Sequence, residues 1–159
     1  VRAGIGYDIH RLAPGDGVVL GGVKIPMNKR LVGHSDADVL CHAIIDALLG
    51  AAALGDIGQH FPDTDPAYKG ACSLDLLKKT AQLLASAGYV IMNVDAIVVA
   101  EAPRVAPHKE KIAATLADVL GVHVSQISVK GKTAEGLGPV GEGAAICAHA
   151  VALVQKVKR

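Results

Sequence analysis

Two hydrophobic rhythms run along the chain. Residues 2 to 12 read as a β-strand. Strand side chains alternate between faces, so Asp8 and His10 in "GYDIHRL" point to the same side. "VVLGGVKIP", Val18 to Pro26, has the form of a short hairpin around Gly21-Gly22. The rhythm then changes to 3.6. In "HSDADVLCHAIIDALLGAAALG", Val39, Leu40, Ala43, Ile44, Ala47 and Leu48 form a helical stripe. Ser35 is the expected cap of this helix, with Asp38 three residues on, and Gly55 its stop. "GDIGQHFPDTDPAYKG" reads as a polar loop. "SLDLLKKTAQLLASAG" reads as a second amphipathic helix, capped by Ser73 and stopped by Gly88. "VDAIVVA" is a buried-type strand and "APRVAPH" a stiff turn. A third helix runs from about Pro107 to Leu120, since proline suits a first helical position. "QISVKGKT" is a strand and "AEGLGPVGEG" a glycine-rich loop. "AAICAHAVALVQKV" fits helix by its alanines and strand by Ile146, Val151 and Val154. No internal repeat or linker interrupts the series. Strands and helices covering one another predict a two-layer sandwich.

Composition narrows the picture. A chain of 159 residues suits one domain spanning 1–159. Apolar residues make up 51% but aromatics only 3%, so the core is built from Ala, Val, Ile and Leu. Such a core buries little area per residue, which points mildly to oligomerisation. The net charge of +1 comes without a basic, aromatic-laced stripe, and this disfavours a nucleic-acid partner. Cys41, Cys72 and Cys147 are odd in number and lack a CxxC pair. They read as inert buried thiols in a reducing compartment. The longest apolar run, Val39 to Leu54, is broken by His42 and Asp46 and is too short for a membrane span. No signal-peptide pattern opens the chain. Bacterial cytoplasm suits it, as does plastid stroma for a chain whose upstream segment has been removed.

The polar residues left over carry chemistry. Asp8, His10 and His42 form a two-histidine, one-carboxylate set for zinc, with a fourth position open as in catalytic sites. A solvated helix-face histidine is the rival reading. Asp38 and Asp46 each stand four residues from His42 and are candidates to orient its ring. Cys41 is a rival ligand, but it points about 100° away from His42 on a helix. His34 and Ser35 precede the helix start, where free N–H groups suit phosphate. Asp56, Asp63 and Asp65 lie in a Gly- and Pro-rich loop fit for hydroxyls, a hard cation or simple solvation. Lys130, Lys132 and Thr133 suit phosphate oxygens, and Glu135 suits magnesium on a diphosphate, with an ordinary exposed strand end as the rival reading.

"GYDIHRL", "GHSDADVLCHAIIDALLGAAALGDIG", "FPDTDPAYKGACS", "AEAPRVAPH" and "KTAEGLG" together resemble the 2-C-methyl-D-erythritol 2,4-cyclodiphosphate synthases, in order and near the family's spacing, over essentially the full chain. The resemblance implies an α+β fold: a two-layer sandwich with a mixed four-stranded sheet, helices on one face and a small hairpin, so that the last segment is strand. It implies zinc on Asp8, His10 and His42, one ion per subunit. It implies that His34, Ser35 and Asp56, Ile57 and Gly58 hold the methylerythritol phosphate. Phe61, Pro62, Asp63, Thr64 and Asp65 would close over it. Ala100, Glu101, Ala102, Pro103, Arg104, Val105 and Ala106, with Gly131, Lys132 and Thr133, would cradle cytidine and phosphate. Thr133, Ala134 and Glu135 would flank the diphosphate and its Mg²⁺ or Mn²⁺. His34, Thr133 and Glu135 are the implied catalytic residues. The implied reaction turns 4-diphosphocytidyl-2-C-methyl-D-erythritol 2-phosphate into the cyclic diphosphate and CMP. The implied assembly is a homotrimer with active sites between subunits and no membrane partner.

The chain departs from the family at "GPVGEGAA". There Pro139 stands for an aromatic, Glu142 for an arginine and Ala144 for a glutamate, and Pro139 and Glu142 complete the substrate-binding set that the resemblance implies. In the family this loop faces the threefold axis and is linked to isoprenoid diphosphates, which three Glu142 carboxylates would repel. A zinc phosphohydrolase of the same fold and a non-catalytic cytidine-nucleotide sensor are the competing readings.

Overall fold

The computed structural model describes residues 1–157. Its elements are β1 (Arg2–Pro14), β2 (Val18–Leu20), β3 (Val23–Ile25), β4 (Lys29–Val32), α1 (Val39–Ala52), α2 (Ile57–His60), α3 (Ser73–Ser86), β5 (Tyr89–Val99), α4 (Lys109–Leu120), β6 (Ile127–Lys132), α5 (Gly138–Gly141) and β7 (Ala145–Lys156). Five strands form one mixed sheet in the order β4-β1-β7-β5-β6, and β2-β3 form the separate hairpin. Only β5 and β6 run parallel, joined through α4; the other pairs are antiparallel.

The long helices cover one face. α1 packs on β1 and β7, α3 on α1, and α4 on β6. The strand alternation follows: Val94, Ala96 and Val98 of β5 and Ile146, Ala148, Ala150, Ala152 and Val154 of β7 are buried. On the other face Ile5 is 74% exposed, and Tyr7, Ile9 and Val151 lie open beside it. Among the described residues nothing covers that apolar face. The contact between α1 and β1 depends on two glycines. A Cβ at Gly6 would lie 1.8 Å from the Ala43 carbonyl oxygen, and one at Gly4 would lie 2.0 Å from that of Ala47. The helix backbone therefore rests directly on the strand.

Several expectations change. The sheet has five strands rather than four, because Lys29–Val32 adds an edge strand to β1 that buries only Leu31. Helix α1 starts at Val39, and its cap is Asp38 rather than Ser35. The Asp38 carboxylate is fully buried and accepts N–H bonds from Cys41, Gly21 and Gly22, so it ties the helix to the hairpin turn. Ala53, in left-handed backbone, ends this helix before Gly55. Ser73 is the first residue of α3, not its cap, and its side chain is engaged elsewhere. The 55–66 loop contains the short helix α2. Pro107 sits in a single 3₁₀ turn ahead of α4. Cys41 and Cys147 are buried, but Cys72 is exposed. The last segment is strand β7, as the resemblance implied.

Candidate metal centre and substrate cleft

β1 brings Asp8 and His10 to the helix-covered side of the sheet, and α1 lowers His42 onto them. Asp8 Oδ2 lies 2.8 Å from His10 Nε2 and 3.0 Å from His42 Nδ1, and the two ring nitrogens are 3.2 Å apart. The far nitrogens show what these atoms carry. His10 Nδ1 is 2.9 Å from the Val32 carbonyl, which can only accept, so Nδ1 bears the hydrogen in the neutral ring. His42 Nε2 is 2.9 Å from Ser73 Oγ, whose own hydrogen goes to Asp36 Oδ1. His42 Nε2 therefore donates. Both inward nitrogens present lone pairs to a carboxylate, and three acceptors converge on one point. That arrangement calls for a cation, and two imidazoles with one carboxylate suit zinc. The donor set fits the metal that the sequence implies.

Without metal, protons take its place. Burial acts to raise the Asp8 carboxyl, but hydrogen bonds and charge from His10 and His42 prevail and lower it to about 2. The hydrogen bond to Asp8 leads the opposite shift on His10, which is raised against the effect of its burial.

The three ligands open into a cleft of about 300 Å³, also lined by His34, Ser35, Asp46, Ile57, Gly58, Phe61 to Thr64, Tyr68 and Leu76. Asp46 Oδ1 accepts the Ile57 N–H at 2.7 Å, which fixes α2 against α1. A second cleft of about 210 Å³ lies between the ends of β5 and β6. It is lined by Ala100, Glu101, Pro103, Arg104, Val105, Ala106, Gly131, Lys132 and Thr133. Among the described residues none lines both clefts. β1 and β6 stand three places apart in the sheet, roughly 14 Å at the usual strand spacing.

The YgbB family profile matches residues 1–155. The chain belongs to the YgbB family. It is 57% identical over 155 residues to the 2-C-methyl-D-erythritol 2,4-cyclodiphosphate synthase of Thioalkalivibrio sulfidiphilus, covering 98% of this chain and 97% of that one. Among solved structures, the IspF–CDP complex of Plasmodium falciparum superposes with a TM-score of 0.86 at 39% identity, covering 99% of this chain and 97% of that one. The bifunctional IspDF of Campylobacter jejuni gives a TM-score of 0.95 at 34% identity; 99% of this chain is covered, and it spans 42% of that protein.

Against this family frame, most sequence-expected residues fall into one cleft or the other, and some do not. Asp56 faces α2 instead and caps it through the Gln59 N–H, while Asp65 caps the 3₁₀ turn at Pro66–Tyr68. Ala102, Ala134 and Glu135 border the second cleft without lining it. Glu101 Oε1 accepts the Ala134 N–H at 2.9 Å and so steadies the loop that carries Glu135. Glu135 itself holds left-handed backbone, φ 54°, a conformation costing a non-glycine residue about 1–3 kcal/mol. Pro139 lies in α5 and Glu142 caps its C-terminal end, outside both clefts. Neither Asp38 nor Asp46 orients His42. Asp38 serves backbone amides and Asp46 serves Ile57, so the orienting contacts come from Ser73 and from Ser35 Oγ at 3.1 Å. Tyr68, Leu76, Ser73 and Asp36 were absent from the expected set. The sequence "KGACS" was in the matched stretch, yet nothing in its spacing placed Ser73 beside a histidine 31 residues away.

Proposed function

We propose that this protein converts 4-diphosphocytidyl-2-C-methyl-D-erythritol 2-phosphate to 2-C-methyl-D-erythritol 2,4-cyclodiphosphate and CMP, acting as a phosphorus–oxygen lyase in non-mevalonate isoprenoid precursor synthesis. The observation that carries this reading is the convergence of three lone pairs, from Asp8, His10 and His42, at a cleft also lined by His34 and Ser35, in a chain of this family. A substrate 2-phosphate oxygen attacks the β-phosphorus, the bond from that phosphorus to the bridging oxygen breaks, and the electron pair leaves on the α-phosphate of CMP. When bound, zinc held by Asp8, His10 and His42 and a second ion, Mg²⁺ or Mn²⁺, near Glu135 would polarise the phosphoryl oxygens and offset charge on the leaving group.

The protein's own residues position and shield. His34 and Ser35 sit at the cleft wall, where a hydroxyl and an imidazole can hold the 2-phosphate in line. Ile57 and Gly58 bind methylerythritol, and Phe61, Pro62, Asp63 and Thr64 exclude the water that would divert the reaction to hydrolysis. Lys132, Thr133 and Arg104 bind the diphosphate and cytidine side, and Glu135 would hold the second metal. No protein nucleophile is required, because ring closure within one molecule gains most from positioning.

The separation of the two clefts supports a homotrimer in which the metal side of one subunit meets the cytidine side of the next. The uncovered apolar sheet face supports the same assembly. No helix among the described residues is long and apolar enough to cross a membrane. The reading treats 1–159 as one domain working in bacterial cytoplasm or plastid stroma. Chelator-stripped protein should release no CMP from the substrate, and Zn²⁺ with Mg²⁺ should restore release. CMP release that survives complete stripping overturns the reading.

A further inference from the structure

We propose that Ser73 and Asp36 are positioning residues of the metal centre: together they fix which nitrogen of His42 carries the hydrogen. The inference rests on the metal reading above.

Ser73 is fully buried. Both of its donors go to one carboxylate. Its N–H donates to Asp36 Oδ2 at 2.9 Å, and its hydroxyl donates to Asp36 Oδ1. Asp36 Oδ1 also accepts the Asp38 N–H at 3.2 Å, which holds the carboxylate at the start of α1. With its hydrogen committed, Ser73 Oγ turns a lone pair to His42 Nε2 at 2.9 Å. A lone pair facing a lone pair at that distance is repulsive, so His42 takes the Nε2–H tautomer and leaves Nδ1 bare toward Asp8. A hydrogen on Nδ1 would occupy the bond that a metal must form. Ser35 Oγ, 3.1 Å from the same Nε2, cannot set this alone, because its hydroxyl is not committed to a carboxylate and can donate or accept. The device also links three segments: the loop before α1, the first turn of α3, and the helix that carries the ligand. Partners of this kind outside the ligand set commonly govern metal affinity by about 10–100-fold.

Three variants separate this role from a structural one. Asp36→Asn frees Ser73 to donate to His42 Nε2, because the new amide can donate to Ser73 Oγ. Ser73→Ala removes the lone pair, and Ser73→Thr keeps the hydroxyl. Two readouts are taken on the whole protein. Zinc dissociation constants come from competition with a chromogenic chelator. The His42 tautomer comes from long-range ¹H–¹⁵N correlation spectra of the zinc-free protein, recorded above the His10 titration. The wild type should show His42 protonated at Nε2. Asp36→Asn should shift the ring toward Nδ1–H and weaken zinc binding by about 10–100-fold, Ser73→Ala should weaken it less, and Ser73→Thr should restore it. Wild-type zinc affinity and an Nε2–H ring in folded Asp36→Asn would overturn the proposal. If wild-type protein binds no zinc, the metal reading fails, and the tautomer spectra still decide whether Asp36 and Ser73 set the ring.

Discussion

Gly6→Ala tests how the fold builds the metal centre. The added Cβ would lie 1.8 Å from the Ala43 carbonyl oxygen, and 2.8 Å from both Ala43 C and Ala47 N, whereas ordinary contact begins at 3.4 Å. These neighbours are helix backbone, which cannot rotate aside. α1 must therefore withdraw from β1 by about 1.6 Å, since close-packed interiors hold no slack to absorb it. His42 precedes Ala43 and moves with it, while Asp8 and His10 stay on β1. Zinc tolerates ligand distances within about 0.2 Å of ideal, so the two halves of the site no longer close on one ion. Overpacking of this kind costs about 1–3 kcal/mol of stability. At about 2–4 °C per kcal/mol for a chain of this size, the melting temperature should fall by roughly 2–12 °C. Zinc affinity should fall by at least about 10–100-fold, the scale that follows when a ligand loses its support. Gly50→Ala is the control, because its Cβ meets nothing within 4 Å in the same helix; it should stabilise by about 0.5–1 kcal/mol and leave zinc binding alone. Calorimetry and chelator competition read both effects. A folded Gly6→Ala protein with wild-type zinc affinity would refute the account of how α1 and β1 assemble the centre.

Further outcomes follow from the same structure. Asp38→Ala orphans the buried N–H groups of Cys41 and Gly21 and the part-buried one of Gly22, and at about 1–3 kcal/mol for each buried group it should cost about 2 kcal/mol or more in urea unfolding. Loss below 1 kcal/mol would mean that the cap is dispensable. In zinc-free protein, the stabilisation from Asp8 is present above its unfolded pKa near 4 and is lost as pH falls through about 2. That from His10 is full below about 6.5 and lost as pH rises through its raised value. The cluster should thus favour folding most between about pH 4 and 6.5, and the gain in melting temperature on adding zinc should grow above that window, as protons cease to compete. A zinc-induced gain that does not change across pH 5–8 would contradict this. His42→Ala should abolish zinc binding while the protein stays folded; retained stoichiometric zinc would remove His42 from the ligand set.

Parts of this molecule were legible in its sequence for simple reasons. Asp8 and His10 stand two apart on a strand, so their shared side followed from the period alone. The Gly21-Gly22 hairpin followed from turn chemistry, and both residues do hold positive φ. Other parts depend on contacts between distant segments. Ser35 satisfied the local rule for a cap, but Asp38 won because the hairpin amides of Gly21 and Gly22 reach it. The four-residue rule nominated Asp38 and Asp46 as partners of His42, whereas the true partner arrives with α3. β4 has one buried residue and no periodic signal to reveal it. Nothing local marks Gly4 and Gly6 apart from ordinary strand glycines; their need comes from the α1 backbone resting on them.

The most direct measurement is phosphorus NMR of the purified protein with the cytidine diphospho substrate, Zn²⁺ and Mg²⁺. The account predicts a pair of coupled cyclic-diphosphate resonances growing in step with CMP. Release of CMP with only linear phosphates, or no turnover in protein shown to hold zinc, would contradict it.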